Sequence, residues 1–395
     1  MLKKLILENW KSFRYAELPL DPLTVLIGTN ASGKSNVVEA LEFLQRIARG
    51  EDVKTALAGD KMLPAIRGGV EWAAHKPENK FSLKASVQLK DSDIDYIYNI
   101  EVATQPLARI LENSILTQEY KNNNQNYVDS YYLYKLTYGY SLSQNKTIPM
   151  KLEFLDEESG ESDNNITQIL EAIQNIFILN PIPSKMRDYS HLSETLESDS
   201  SNIAGVIAAL TDEQKAQVES TLSEYIKYLP EGDIKKVWAE KVGRFRNDAM
   251  LYCQEEWKPG EITEIDARSM SDGTLRFLAI LTALLTRPEG SQIVIEEIDN
   301  GLHPSRAALL VKILKEIGSK RNIDILLTTH NPALLDAFGS EIVPFVVVAH
   351  RDSETGESKL TLLEDIENLP LLLASGTLGR LATKGAIEKS LSNQK

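Results

Sequence analysis

The stretch that most constrains this chain is TVLIGTNASGKSNVVEAL, residues 24–41. Val25, Leu26 and Ile27 form a short apolar run of the kind that becomes a buried strand. Gly28 to Ser35 then read G-x-x-x-x-G-K-S, and Val37, Val38, Leu41 and Leu44 follow at helical spacing. Strand, glycine-bounded loop and helix are the context a phosphate-binding loop needs. Gly28 and Gly33 let the backbone curl tightly. The amides of Asn30, Ala31, Ser32, Gly33, Lys34 and Ser35 can then converge as an anion nest at a helix N-terminus. In that arrangement Lys34 reaches the β- and γ-phosphates of a nucleotide, and the Ser35 hydroxyl ligates Mg²⁺. The bland alternative is a glycine turn before a helix, and the strand upstream weighs against it.

The 395-residue chain carries a net charge of −14 with 42% hydrophobic residues, which suits one large or two ordinary globular domains. An acidic chain is a poor general binder of nucleic acid or anionic membrane, although a local basic face stays open. The single cysteine, Cys253, allows no internal disulfide and fits a reducing cytoplasm. The opening MLKKLILENWKSF breaks its apolar run at Glu8 and Lys11, too early for a signal peptide. No run approaches the roughly 20 apolar residues of a membrane helix, so no membrane association is expected.

Residues 2–9 alternate as a strand, and 16–20 can pair with it. From 80 to 156, five segments (FSLKASVQL, DYIYNIEVA, ILENSILTQEY, YYLYKLTYGY and MKLEFLDEE) are rich in β-branched and aromatic residues. They are separated by KDSD, KNNNQN and SQNK, which predicts an antiparallel β-lobe. The tyrosine-rich piece at 127–140 reads as half-buried strand rather than a base-stacking surface. After an acidic turn at 157–165 come a short helix at 166–178 and the strand IFILNPIP, ended by prolines. Residues 188–261 read as a helical insertion or lid, with helical periodicity at 203–228 and 233–242. From 262 onward helices and strands alternate, the first helix falling near 273–286. The expected division is 1–187 for the loop and β-lobe, 188–261 for the insertion, and 262–395 for the remaining α/β part.

Three more elements carry chemistry. In IVIEEIDNGLHP the strand Ile293–Ile295 runs into Glu296 and Glu297. At a strand end beside a phosphate loop, the first carboxylate can hold the Mg²⁺ shell and the second can deprotonate the attacking water. Alone, the pair would read as a solvated strand end. In ILLTTHNPALL another strand ends at His330, which can hydrogen-bond the γ-phosphate and the attacking water. In RSMSDGTLRFLAILTALL, Ser271, Asp272 and Gly273 open an apolar helix, either as a simple N-cap or as a second anion site. One molecule rarely needs two such sites on one phosphate group; a dimer does, if each subunit supplies one.

The order of GTNASGKS, SMSDGTLR, VIEEIDNGLHP and LLTTHNP resembles the ABC-type P-loop ATPases of the RecF, SMC and OLD group. It is most similar to compact bacterial AAA-family ATPases found beside defence or nuclease genes. ENWKSF resembles the group's opening strand, which lies near the nucleotide base. The resemblance implies an α/β fold: an ABC-type, RecF/SMC head-like ATPase with an antiparallel β-lobe and a helical insertion. It implies ATP sandwiched between two head-to-tail subunits. Gly28 to Asn36 becomes the Walker A loop, Glu296 the metal-shell residue in place of the usual aspartate, and Glu297 the base. Ser271, Asp272 and Gly273 become a signature reaching the partner's γ-phosphate, in the form MSDGT rather than LSGGQ. Asp299 begins the D-loop, His330 is the switch histidine, and Arg67 in AIRGG resembles an arginine loop. A Q-loop glutamine has no clear position; Gln88 is a candidate, though it reads as a strand residue.

These expectations add up to an ATP-dependent switch in the cytoplasm, using ATP and Mg²⁺. It would form a homodimer or higher oligomer and control an effector such as a nuclease in antiphage defence. A RecF-like DNA repair ATPase and a non-hydrolysing ATP-bound scaffold are the alternatives, and the base-like Glu297 argues against the scaffold. A stand-alone OLD-type nuclease is disfavoured because no D-x-D pair follows His330, and a transporter subunit because of the β-lobe and signature. The insertion opens with Glu194, Glu197 and Asp199 and gathers its cations late, at Lys235, Lys236, Lys241, Arg244 and Arg246. It is expected to dock a partner protein rather than wrap DNA, since DNA affinity rests on cations neutralising phosphates.

Overall fold

A computed structural model of the chain describes residues 1–61, 63–89, 95–120, 128–141, 146–154, 163–229, 233–300 and 303–393. From the N-terminus, β1 (Leu2–Trp10) and β2 (Phe13–Pro19) form a hairpin, and β3 (Leu23–Ile27) leads through a loop into α1 (Lys34–Ala48) and α2 (Val53–Ala58). Strands β4 (Lys80–Gln88), β5 (Asp95–Ala103), β6 (Arg109–Tyr120), β7 (Val128–Ser141) and β8 (Lys146–Phe154) follow. Next come α3 (Asp163–Gln174), β9 (Phe177–Leu179), α4 (Pro183–Met186) and β10 (Ser190–His191). Helices α5 (Ile203–Ala209) and α6 (Asp212–Ile226) precede β11 (Ile234–Val242), β12 (Asp248–Lys258) and β13 (Glu261–Asp266). The remainder alternates: α7 (Asp272–Thr286), β14 (Gln292–Ile295), α8 (Ala307–Lys320), β15 (Asp324–Thr328), α9 (Pro332–Phe338) and β16 (Val346–Arg351). It closes with β17 (Ser358–Leu362), α10 (Leu369–Ser375), α11 (Leu378–Thr383) and α12 (Ala386–Asn393).

The continuous apolar runs at 25–27, 293–295, 325–327 and 346–348 have a common cause. They belong to one six-stranded sheet of order β17-β16-β3-β15-β14-β9, parallel except at β17. A parallel sheet is covered on both faces, so its strands do not alternate with polar residues. Successive side chains still point to opposite faces. Leu26, Val294, Leu326 and Val347 join the core beneath α1, α3 and the β-lobe. Val25, Ile293, Ile325 and Val346 join the core built on α5 to α9, β11 and β12.

The β-lobe is a seven-stranded antiparallel sheet of order β2-β1-β4-β5-β6-β7-β8, which contains all five strands expected between 80 and 156. The expected turns at KDSD and KNNNQN, most of SQNK, and most of the acidic stretch 157–165 lie outside the described residues. So do the side chains of 127–140, on which the choice between stacking surface and packed strand depends. Trp10, at the end of β1, ties this lobe to α1. Its ring packs edge-on against Phe81 at 4.8 Å and lies 5.9 Å from Phe43, and its indole N–H donates to the Asn36 carbonyl at 2.7 Å. Trp10 is fully buried. Trp10→Ala is therefore expected to cost about 3–5 kcal/mol in denaturant unfolding. A loss under about 1 kcal/mol would show that this junction carries little of the fold.

The insertion needs one correction. Within the 203–228 expected to be helical, 203–209 and 212–226 are helices, but 233–242 is not a helix; it holds β11, paired antiparallel with β12. Ile234, Val237 and Trp238 sit at i, i+3 and i+4 and mimic a helical stripe. They do so because a bulge between Ile234 and Lys236 brings Ile234 onto the inner face, and because Trp238 is buried on an outer face whose Lys236 and Glu240 are exposed. Val237 and Ala239 point into the core, while Trp238 on the other face stacks on Tyr252 at 5.8 Å. With β10 and β13 this makes a small sheet beside α5 and α6, so the segment is mixed rather than helical.

Candidate functional site

The loop between β3 and α1 is built on conformations its glycines alone tolerate. Gly28 has φ +142° and Gly33 φ +115°, both in the region that L side chains avoid. A Cβ on Gly28 would strike the Ala349 carbonyl oxygen at 2.1 Å, and one on Gly33 would meet the Phe13 ring at 2.7 Å. Ala31, at the crest, has φ +63°, and the Arg351 Nε donates to its carbonyl at 2.9 Å. The Ser32 Oγ is buried without a hydrogen-bond partner, inside a loop curled to receive an acceptor-rich group. Lys34 folds over the loop, its ammonium donating to the Gly28 carbonyl at 2.6 Å and the Thr29 carbonyl at 2.9 Å. Burial lowers its pKa from the ordinary lysine value, and Glu297 and Glu296 pull it back upward. The ammonium is thus partly desolvated and faces two carboxylates.

The parallel register puts the other groups at the same end of the sheet. β14 pairs with β15 through Ile295 and Leu327, and β15 with β3 through Thr328 and Leu26. The residues just beyond these strands therefore cluster together. Glu296, Glu297, Thr328 and the loop from Asn30 to Asn36 line one cavity of about 490 Å³, with Arg67 and Arg351 at its side. Glu297 itself has φ +46°, uncommon for a residue with a side chain and frequent at functional sites. That turn is held by its N–H donating to the Thr328 Oγ at 2.8 Å and by Asn300 N–H donating to its carbonyl at 2.8 Å.

The donor set suits a triphosphate with Mg²⁺. Amides and an ammonium surround the loop, while the Ser35 hydroxyl and the Glu296 carboxylate share the cavity. Among the described residues no group of three or more His, Cys, Asp or Glu side chains could hold a metal ion. A cation here would need phosphate oxygens to complete its shell.

Other expected residues are placed as follows. Asp299 hydrogen-bonds the Thr329 hydroxyl, which also accepts from Asn331 N–H at 3.0 Å. His330 is exposed at the end of β15 and does not line the cavity. The Arg67 guanidinium is held by Glu39, which raises its pKa, and it borders the cavity. Ser271 caps α7, its Oγ accepting from Thr274 N–H at 3.1 Å; Ser271 and Asp272 are exposed, Gly273 is buried, and none of the three lines the cavity. Gln88 pairs with Asp95 and accepts from the N-terminal amine at 2.8 Å, at the far end of β1 from Trp10. Asn180 follows Leu179, the partner of Ile295, but it is exposed and does not line the cavity. Thr328 and Arg351 line the cavity without a local sequence pattern that singles them out.

A second cavity, of about 770 Å³, shares Asn36, Arg67 and Arg351 with the first and extends along Lys11, Ser12, Arg14 and Trp72. Lys11 is buried against Glu39; desolvation lowers its pKa, partly offset by that carboxylate.

Residues 23–336 match the family model described as "AAA domain, putative AbiEii toxin, Type IV TA system". The chain is 21% identical over 359 residues to an OLD nuclease of Thermus scotoductus, covering 85% of this chain and 60% of that protein. It is 34% identical over 113 residues to the chromosome partition protein Smc of Halothermothrix orenii, covering 27% of this chain and 8% of that protein. It thus spans three fifths of the first relative and a small part of the second. Among solved structures it is similar to an Smc head bound to the C-winged helix domain of ScpA. That match has a TM-score of 0.52 at 15% identity, over 91% of this chain and 96% of that one. An Smc head with an extended coiled coil, bound to the C-terminal domain of ScpA and derived from Pyrococcus furiosus, matches with TM-score 0.51 at 14% identity, over 94% and 99%. At these identities the likeness is one of fold. No helix among the described residues is long and apolar enough to cross a membrane.

Proposed function

The chain belongs to this AAA-domain family, within the ABC-type P-loop ATPases of the RecF, SMC and OLD group, and from that premise we propose that it binds and hydrolyses ATP as a dimerising switch. The observation that carries the reading is the single cavity shared by Lys34, Ser35, Glu296 and Glu297. The loop amides and Lys34 bind the phosphates and orient the terminal one. Glu297, aimed into the cavity by its left-handed turn, takes a proton from the attacking water. Thr328 keeps that turn in place. Mg²⁺, when bound, supplies charge neutralisation on the phosphates, with Ser35 and Glu296 as its protein partners. The nucleoside end extends into the second cavity, beside Lys11 and Ser12. Thr329, bonded to Asp299, links the D-loop residue to the turn that carries His330, the switch histidine of the resemblance.

The N-terminus of α7 lies apart from this cavity, which supports its use by a second copy. Ser271, Asp272 and Gly273 of one subunit then face the triphosphate of the other. What the dimer controls is a partner effector such as a nuclease, in an antiphage defence role. The matched family's toxin description and the OLD nuclease relative support that class. The 188–261 segment, acidic where it opens, is its docking element.

Mixing tests the shared site. Ser271→Arg protein has an intact loop and Lys34→Ala protein an intact α7 N-terminus. Their mixture should recover ATPase activity that neither has alone, at most about half of normal because one composite site per mixed dimer is whole. Mixtures that form heterodimers yet stay inactive contradict the shared site.

A further inference from the structure

The proposed trans site contains an electrostatic conflict. A helix N-terminus favours an approaching phosphate through its free amides. Here Asp272 occupies the first turn of α7, so the approaching phosphates meet a carboxylate. Two like charges brought together at an interface oppose association. The structure supplies a counter-charge from outside the helix. Arg187, following α4, donates from Nη2 to the Asp272 carboxylate at 2.7 Å and to the Met270 carbonyl at 2.8 Å. The two acceptors flank Ser271 in sequence, so one guanidinium clamps both sides of the capping serine. The Asp272 side chain is 69% exposed and that of Arg187 28%, so the pair lies where another molecule can reach it. A guanidinium has five N–H donors, and these two bonds leave others for an incoming anion.

We propose that Arg187 is a positioning residue for the α7 signature turn: it neutralises Asp272 and fixes the backbone around Ser271, so that the turn accepts a partner copy's triphosphate despite its carboxylate. This role rests on the shared-site reading. Arg187 acts through Asp272 and Met270, and a lysine in its place keeps the charge but not the two-acceptor geometry.

The test uses the full chain carrying Glu297→Gln, with mass in solution followed by light scattering as ATP is titrated. Arg187→Ala should raise the ATP concentration at half-dimerisation about tenfold or more. Adding Asp272→Asn to Arg187→Ala should bring it back to within about twofold of the parent, because the uncompensated charge is gone. Asp272→Asn alone should dimerise at or below the parent's ATP concentration. Binding of a fluorescent ATP analogue to the monomer should be unchanged by Arg187→Ala. A simple packing role for Arg187 would not be rescued by Asp272→Asn. The proposal fails if Arg187→Ala dimerises like the parent, or if the double variant is as impaired as the single. Should Arg187→Ala not fold, Arg187→Gln, which is neutral but keeps a hydrogen-bond donor, provides the same comparison with and without Asp272→Asn. A parent that stays monomeric at saturating ATP removes the shared site, and this role with it.

Discussion

Glu297→Gln should lower the rate of ATP hydrolysis by about 10²–10⁴-fold while leaving ATP affinity near normal. The substitution keeps the size of the side chain and its left-handed backbone, which is held by bonds from main-chain atoms to Thr328 and Asn300. What it removes is the proton acceptor. A group that works only as the reaction proceeds lowers kcat without raising KM. Steady-state phosphate release measures both. A glutamine variant that turns over at the parental rate would assign the base elsewhere, with exposed His330 the nearest alternative in the sheet order.

Lys34→Ala should weaken ATP binding by about 10²-fold or more. Charge-assisted hydrogen bonds contribute about 1.5–3 kcal/mol each, and 1.4 kcal/mol is tenfold in affinity. In the structure the ammonium is held by the Gly28 and Thr29 carbonyls, and on the proposed reading it would exchange these for phosphate oxygens. Both carbonyls belong to a loop that Gly28, Gly33 and the Arg351 contact also hold, and the alanine variant keeps those supports. The melting temperature should therefore change little. Equilibrium binding of labelled ATP and thermal unfolding of the same preparation separate the two effects. Unchanged affinity would mean that the loop does not hold the phosphates.

The parts of this molecule that could be read from sequence are those whose causes are local. Gly28, Gly33, Lys34 and Ser35 sit within eight residues, and the strand and helix on either side are short-range patterns. The β-lobe was legible because its strands alternate and its turns are polar. What escaped depends on pairing across the chain. Thr328 matters because its hydroxyl meets the Glu297 amide, and Arg351 because β16 lies next to β3. The misread helix at 233–242 has the same origin. The bulge after Ile234 and the burial of Trp238 on the outer face of β11 break the period-2 signal that marks a half-exposed strand. Arg187 gave no signal of its own in sequence; its meaning appears once α4 is packed against α7 beside Asp272.

The central claim is that ATP completes a site between two copies of the chain. Light scattering of the Glu297→Gln protein, with and without saturating ATP and Mg²⁺, tests it most directly. The mass should shift from 44.1 kDa to twice that value or a higher multiple on adding ATP, reverse on its removal and stay unchanged when Lys34→Ala is combined with it. A mass that stays the same with and without ATP, in protein shown to bind the nucleotide, would contradict it.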